Sequence, residues 1–481
     1  MSGGNMNPSF EEFRVLAKKF NRVTVYKETD GDMDTPVSIL SKLMSLDKAI
    51  LLESAKENKV YSRFSFLAFD IQETLVLRED GIYKNGTPVG DMSYLKDILL
   101  QNRAPSLKGF GDFSGGYVGC LNFEFVEQCG ILRRPLSNKD TTAGILYLVE
   151  KFCVYDNYTN RLYLALSKKI DDGIPIEETY RKIKGELEAS EKHLKDLSKA
   201  PEIPRKPVIL RKIPKESFMG KVQKIKEMIE EGEAIQIVLS DYLEIDNIDP
   251  FEFYRNLKKI NPSPYMYFIK DGNSFVVGSS PEVHIKIRGK TAYLKPIAGT
   301  KPRTKSEDVD KIIKALTSDE KEKAEHLMLV DLARNDLSRI CKVGSVKVES
   351  FMEPEVYSHV VHLVSQVRGK LINDTDIIDA IAQTFPAGTV SGAPKTRAIE
   401  IIDKMEETSR GVYSGCTGYI GFNGNVDMAI TIRTAIFNGF LARLQAGAGI
   451  VYDSIPEREY EEVMNKLKAL IRSGGIYDSI N

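Results

Sequence analysis

Two pairs of glutamates define the chemistry open to this sequence. Glu322 and Glu325 sit three residues apart, and so do Glu459 and Glu462. In a helix, residues three apart project from one face. Each pair lies near the start of a stretch with helical character: TSDEKEKAEHLMLVDLARNDLSRI (317–340) and DSIPEREYEEVMNKLKAL (453–470). If the fold brings the stretches together, four carboxylates face one space, and that charge needs a counter-ion. A hard divalent cation suits it. Mg²⁺ keeps several waters and binds through a few carboxylates plus substrate oxygens. No Cys/His spacing suggests zinc. His359 and His362 lie in a valine-rich run, where an i, i+3 pair on a strand points to opposite faces and makes no metal pair.

Two further signals point to an anion. Arg433 is embedded in AITIRTAIF (429–437), which reads as an apolar strand. A buried arginine needs a negative partner. Ala446-Gly447-Ala448-Gly449 reads as a loop whose backbone N–H groups a ligand can approach closely. With a metal, these features suggest a small polycarboxylate held between an arginine, backbone amides and Mg²⁺. The sequence has no GxxxxGK[ST] phosphate loop and no GxSxG nucleophile elbow.

The elements that position these groups follow from periodicity. Thr317 and Glu320 form a capping-box pattern, and Leu327, Val330 and Leu337 form a candidate buried stripe. Ser454 and Glu457 repeat the pattern before Val463, Leu467 and Leu470. Residues 1–199 are rich in strands, expected at 49–53, 65–70, 73–78, 81–84, 115–123, 145–156 and 161–166. A highly charged helix, expected at 174–199, reads as a solvated surface element. APEIPRKPVILRKIP (200–214) holds four prolines and reads as a linker. Residues 215–481 then read as a second domain that carries both glutamate pairs, with helices expected at 217–231, 375–384, 395–405 and 455–473 and strands between, the last three at 413–422, 426–437 and 441–451. Strands come in groups with helices between groups. This predicts an α+β fold of antiparallel β-sheets packed as a sandwich with flanking helices.

Composition narrows the function classes. At 481 residues the chain exceeds one ordinary core. A formal net charge of -1 argues against nucleic acid or an anionic membrane surface as partner. Five scattered cysteines without a CxxC suggest reduced thiols and a cytoplasmic protein. The polar start MSGGNMNPSF lacks the apolar core of a signal peptide, and no run approaches the roughly 20 apolar residues of a membrane span.

Six strings occur in order: QIVLS (236–240), PIAGT (296–300), AEHLMLVDLARNDL (324–337), FPAGTVSGAPK (385–395), QAGAG (445–449) and DSIPEREYEE (453–462). On these strings the chain resembles the chorismate-utilising enzymes, and within them the large subunits of anthranilate synthase. The resemblance implies that Glu325 and Glu462 are the direct Mg²⁺ ligands. Glu322 and Glu459 would support them through water or act as acid. Gly299, Thr300, Tyr413, Arg433, Gly447, Ala448 and Gly449 match substrate-binding positions, with His362 and Lys395 as catalytic neighbours. The implied reaction adds ammonia at ring C2 of chorismate with loss of the C4 hydroxyl, then eliminates pyruvate to leave anthranilate. Gln236 stands where isochorismate- and salicylate-forming relatives have a lysine that activates water, which implies an ammonia user. Ala298 stands where aminodeoxychorismate synthases often have a lysine. The alternatives are an aminodeoxychorismate synthase or a non-catalytic tryptophan-sensing homologue.

The resemblance also implies regulation and a partner. Glu53 and Ser54, with Ser62 to Ser65 following, resemble one wall of a site for feedback L-tryptophan. Asn261, Pro262, Pro264, Tyr265 and Met266 resemble the other wall. Ammonia would come from a glutamine amidotransferase subunit in a heterotetramer. The nearest string here to that subunit's GxCxG is Ser414-Gly415-Cys416-Thr417-Gly418, in which Cys416 reads as structural. Two local departures from the family are Thr304 after Arg303, and Asp241-Tyr242 after QIVLS.

Overall fold

The computed structural model describes residues 6–477, apart from 30, 32, 56–62, 108–110, 138–141, 172, 199–204, 304–307, 357–359 and 374–375. Ser62, Thr304, His359, Thr375 and residues 200–204 of the expected linker therefore lie outside the described residues.

Strand alternation builds the two layers. In Lys48–Glu53, Ile50 joins an apolar cluster with Val118, Tyr147, Phe152, Val154 and Tyr419, while Ala49 and Leu51 join the larger core. Those partners come from both sheets, so the smaller cluster is the filling of a sandwich. Phe113 sits within it, with its ring 5.1 Å from Phe152 and 5.0 Å from Tyr419. Helices such as Ile176–Asp196 and Lys215–Glu230 cover the outer faces with the stripes Ile183–Leu187 and Phe218–Val222–Ile225–Ile229. The fold is α+β with antiparallel sheets, as the grouping of strands predicts.

Among the described residues the sheets have twelve strands each. In one, six strands lie side by side in the order Lys48–Glu53, Tyr265–Asp271, Ser274–Ser280, Thr434–Asn438, Leu441–Ile450, Gln236–Asp246. In the other, Ile297–Pro302 pairs with Val360–Lys370, and Cys416–Gly421 pairs with Gly116–Leu121. Both sheets thus interleave strands from before and after residue 200. The expected boundary does not fall between the sheets, and Val208–Arg211 of the expected linker is itself a strand paired with Gln236–Asp246.

Three local expectations need correction. The run 145–156 is two strands, Thr142–Val149 and Lys151–Asp156, in different sheets. The chain crosses over at Glu150, which pairs with buried Arg22 at 2.5 Å. The charged helix Ile176–Asp196 is solvated on one side only. It buries Thr179, Ile183, Leu187 and Ser190, and Lys27–Glu191 and Lys168–Glu186 pairs edge its contact. The helix Pro250–Ile260 is absent from the periodicity reading, yet Asp249 caps it with hydrogen bonds to the Phe251 and Glu252 N–H groups.

Candidate active site

The first glutamate pair rides on the helix Glu320–Ile340. Thr317 does not cap it. It ends the preceding helix Val309–Thr317, and its hydroxyl donates back to Ile313 O. Asp319 takes over, accepting from Glu322 N at 3.4 Å. The buried face holds His326, Leu329, Val330, Ala333, Leu337 and Ile340, whereas Leu327 is 47% exposed. His326 fastens the helix to the neighbouring sheet. Its Nδ1 lies 3.1 Å from Ala298 O and its Nε2 lies 2.6 Å from Ser365 Oγ. The carbonyl can only accept, so Nδ1 carries the proton. Burial lowers the imidazole pKa and keeps it neutral.

That anchor presents Gly299. Its φ of +81° is left-handed, and a Cβ there would stand 3.2 Å from Glu322 Oε2. Only glycine suits both the backbone and the approach. Thr300 follows in the strand, in register with His362. His362 is buried. Burial, then the charge of Arg433, brings its imidazole down to about 4, so it is neutral.

Arg433 is not in a strand. The apolar run breaks between Val426–Ile430 and Thr434–Asn438, which belong to different sheets. Arg433 sits at the crossover with φ +52° and donates from Nη1 to Asn261 Oδ1 at 3.2 Å.

The glycines 447 and 449 form no separate loop: the strand expected at 441–451 runs through them. They lie in the strand Leu441–Ile450, with Gly447 opposite Ser240, Ala448 opposite Leu239 and Gly449 opposite Val238. A Cβ on Gly447 would meet Leu239 O at 2.7 Å and Tyr413 Oη at 3.0 Å. One on Gly449 would meet Gln236 Nε2 at 2.5 Å. The missing side chains therefore let Tyr413 and Gln236 lie directly over the strand. Burial pushes the Tyr413 phenol up to about 12, which keeps its O–H as a donor.

The second glutamate pair is on the helix Pro456–Ser473. Its N-cap is Ile455, and Ser454 Oγ instead accepts from Val451 N at 3.0 Å. Lys466 links this helix to the glycine strand. It donates to Gly447 O at 2.8 Å and pairs with Glu462 at 2.6 Å.

Glu322 and Glu459 are half-buried, and Glu325 and Glu462 are exposed. Among the described residues, no three or more His, Cys, Asp or Glu side chains gather as a metal-holding group. The four-carboxylate cluster expected from spacing is thus not a closed cage. The exposed Glu325 and Glu462 each offer carboxylate oxygen to solvent, the donor type of a cation that keeps its waters and takes only one or two carboxylates.

Glu282 is the residue the spacing argument missed. It stands at another crossover, between Ser274–Ser280 and Val283–Arg288 in different sheets. It is 7% exposed, and burial raises its carboxyl to about 8 although Thr389, the Ile297 backbone, Arg433 and Lys466 pull the other way. The one sequence signal is a carboxylate between two strand-like runs in SFVVGSSPEVHIKI. Lys395, by contrast, is bound up. Its ammonium holds Asp336 at 3.0 and 3.1 Å and Thr384 O at 3.2 Å, in a pair whose side chains are 10% and 6% exposed.

The two stretches read as a regulatory site meet. Glu53 stands opposite Met266 in paired strands, and Ala55 N donates to Ser263 O at 3.0 Å. Pro262 and Pro264 flank that contact, and Tyr265 donates to Asp427 at 2.8 Å. The Glu53 carboxylate is committed to Lys258, at 2.7 and 2.8 Å, and to the Tyr254 hydroxyl. The Ser54 hydroxyl is buried without a hydrogen-bond partner among the described residues.

The profile of the chorismate binding enzyme family matches residues 47–472. Anthranilate synthase component 1 of Aquifex aeolicus is 40% identical, with 98% of each chain aligned. That of Methanothermobacter marburgensis is 38% identical over 91% of this chain and 92% of its own. The crystal structure of anthranilate synthase component I from Streptococcus pneumoniae superposes with a TM-score of 0.73 at 33% identity, covering 85% of this chain and 92% of that one. The menaquinone-specific isochorismate synthase of Escherichia coli, at 19% identity and a TM-score of 0.69 over 97% of this chain and 98% of its own, shares the fold. The match takes in both sheets apart from the edge strand Arg22–Thr29, and both glutamate-bearing helices but for the last residue, Ser473, and on it this chain belongs to the family of chorismate-binding enzymes.

Proposed function

We propose that the chain is the synthase component of an anthranilate synthase, converting chorismate and ammonia to anthranilate and pyruvate. The observation that carries this is an anion cradle beside a buried acid: Tyr413 lies against the Gly447–Gly449 backbone, and Arg433 is close enough to Glu282 to act on its carboxyl. Arg433 and the strand backbone hold substrate carboxylate, and Tyr413 donates its O–H. Ammonia bonds to ring C2 while the C4 hydroxyl departs, and the leaving oxygen needs a proton. Glu282, neutral below about pH 8, is placed in that role here rather than Glu322 or Glu459. Loss of the C2 proton and cleavage of the enolpyruvyl ether bond then release pyruvate and aromatise the ring. Neutral His362 cannot add a second positive charge beside Arg433, which leaves the arginine as the anion's partner. Gln236 has no basic nitrogen to activate water, which favours ammonia as the nucleophile.

Glu325 and Glu462 would hold Mg²⁺, with Glu322 and Glu459 behind them. When bound, the cation supplies charge neutralisation and orientation of the substrate carboxylate. Ammonia is delivered by a glutamine amidotransferase subunit. L-Tryptophan inhibits by binding beside Ser54 and Asn261–Met266. Because Glu53 is already paired, the ligand's ammonium must compete with Lys258 for that carboxylate or use backbone carbonyls instead.

The test is purified chain with chorismate, Mg²⁺ and an ammonium salt, followed by anthranilate fluorescence and pyruvate release, with and without L-tryptophan. Chorismate consumed without pyruvate release would overturn the assignment in favour of an aminodeoxychorismate synthase.

A further inference from the structure

Behind the substrate strands lies an ion pair that none of these roles uses. Arg410 and Glu406 follow the helix Lys395–Met405, and their side chains are 1% and 7% exposed. Arg410 donates from Nε to Glu406 Oε2 at 2.8 Å and from Nη2 to Oε1 at 2.6 Å. Its other donors reach Val390 O at 2.8 Å, Val238 O at 2.7 Å and Ser414 Oγ at 3.2 Å. All five guanidinium N–H groups are therefore used. Glu406 Oε1 also accepts from Ser240 N and Ser240 Oγ, both at 2.8 Å, and Gln445 Nε2 donates to Ser240 Oγ at 2.9 Å. The guanidinium lies 4.7 Å over the Phe123 ring and 5.7 Å from that of Tyr413.

Each anchored atom belongs to a different piece of the site. Val238 is opposite Gly449, and Ser240 is opposite Gly447. Val390 follows Thr389, one of the groups acting on Glu282. Ser414, at φ +65°, follows Tyr413. Burying an ion pair is an expensive way to gain stability, since apolar side chains of similar volume do as well. What a planar five-donor fork adds is direction.

We propose that Arg410 and Glu406 are positioning residues. They fix the Tyr413 hydroxyl, the Gly447–Gly449 backbone and the 388–390 segment at the spacing the substrate carboxylate requires. They thereby set the affinity for chorismate. This rests on chorismate being the substrate.

The experiment compares Arg410→Lys and Glu406→Gln with the unaltered chain, measuring chorismate KM, ammonium KM, kcat and melting temperature. Arg410→Lys keeps the charge but loses the fork. Glu406→Gln keeps the shape and the acceptor for Ser240 and serves where the lysine variant does not fold. The expected result is a chorismate KM raised about 10- to 100-fold, the range of one or two lost charge-assisted hydrogen bonds. Ammonium KM stays unchanged and kcat stays within about threefold, since the reacting groups are left in place. A folded variant with unaltered chorismate KM, its activity reduced only in step with its melting temperature, would overturn the proposal. Failure of the unaltered chain to consume chorismate would instead overturn the reading on which it rests.

Discussion

Arg433 Nη1 donates to Asn261 Oδ1 across 3.2 Å, joining the arginine proposed to hold the substrate carboxylate to the first residue of the segment proposed to bind tryptophan. The link is doubled: Ser279 N donates to Arg433 O at 3.1 Å, and the Ser279 hydroxyl donates to Asn261 O. A ligand that shifts Asn261 must therefore shift the guanidinium, because the two share one hydrogen-bonded frame. Asn261→Ala is expected to raise chorismate KM about 10-fold, the effect of one hydrogen bond to a charged group. It is also expected to weaken inhibition by L-tryptophan. Initial rates over a chorismate–tryptophan grid test both.

Glu282 gives a pH limb of definite sign. Its carboxyl is raised to about 8, so the acid form is lost as pH climbs through that value. At fixed free ammonia, kcat/KM is expected to fall above about pH 8. Glu282→Gln removes this limb and lowers kcat by about 10²- to 10⁴-fold. Stability follows the same direction. The folded chain holds a proton that the unfolded chain releases in the ordinary carboxyl range. The acid's contribution is thus whole below that range and is lost as pH rises through about 8. Denaturant midpoints at pH 6 and pH 9, for the unaltered chain and Glu282→Gln, test this second consequence.

Metal removal separates the carboxylate roles. Chelation should abolish anthranilate formation, and added Mg²⁺ should restore it. Glu462→Gln should raise the Mg²⁺ concentration for half-maximal rate at least about 10-fold. Since Glu462 is exposed, the melting temperature of the metal-free variant should hardly move. A Mg²⁺ titration of the rate with a parallel melt checks both statements.

Lys395 should behave as a structural residue. Lys395→Met leaves the buried Asp336 without its cation, a change of about 3–5 kcal/mol in stability. The fraction that folds should keep an unchanged chorismate KM. An increase in KM at low temperature, where the variant is folded, would return Lys395 to the substrate site.

Much of this could be read from the chain. The glutamate-bearing helices, the antiparallel sheets and the helix at 395–405 follow from periodicity and end at nearly the expected residues. The errors share a cause. Arg433 and Glu282 both stand where the chain passes from one sheet to the other, and Glu150 does the same. Both sheets bury apolar side chains on two faces, so the hydrophobic run continues through the crossing and hides the break. A strand reading of AITIRTAIF was therefore natural, and the left-handed backbone at Arg433 had no glycine to announce it. Glu282 was silent for another reason: a single carboxylate has no spacing partner. The strand expected at 441–451 is present, but QAGAG inside it also has the look of a loop because glycine is rare inside strands; here each glycine clears space for a side chain above it.

The interleaved sheets also bear on how the protein is made. Lys48–Glu53 pairs on one side with Phe64–Ala68, available at once, and on the other with Tyr265–Asp271, more than two hundred residues later. At about 5–20 residues per second of synthesis, that second edge stays open for roughly 10–40 s after the first strand leaves the ribosome. Gly116–Leu121 waits longer still for Cys416–Gly421. The early strands thus emerge as unpaired apolar edges, and a newborn chain must be shielded from its neighbours on the same polysome until its own second half arrives.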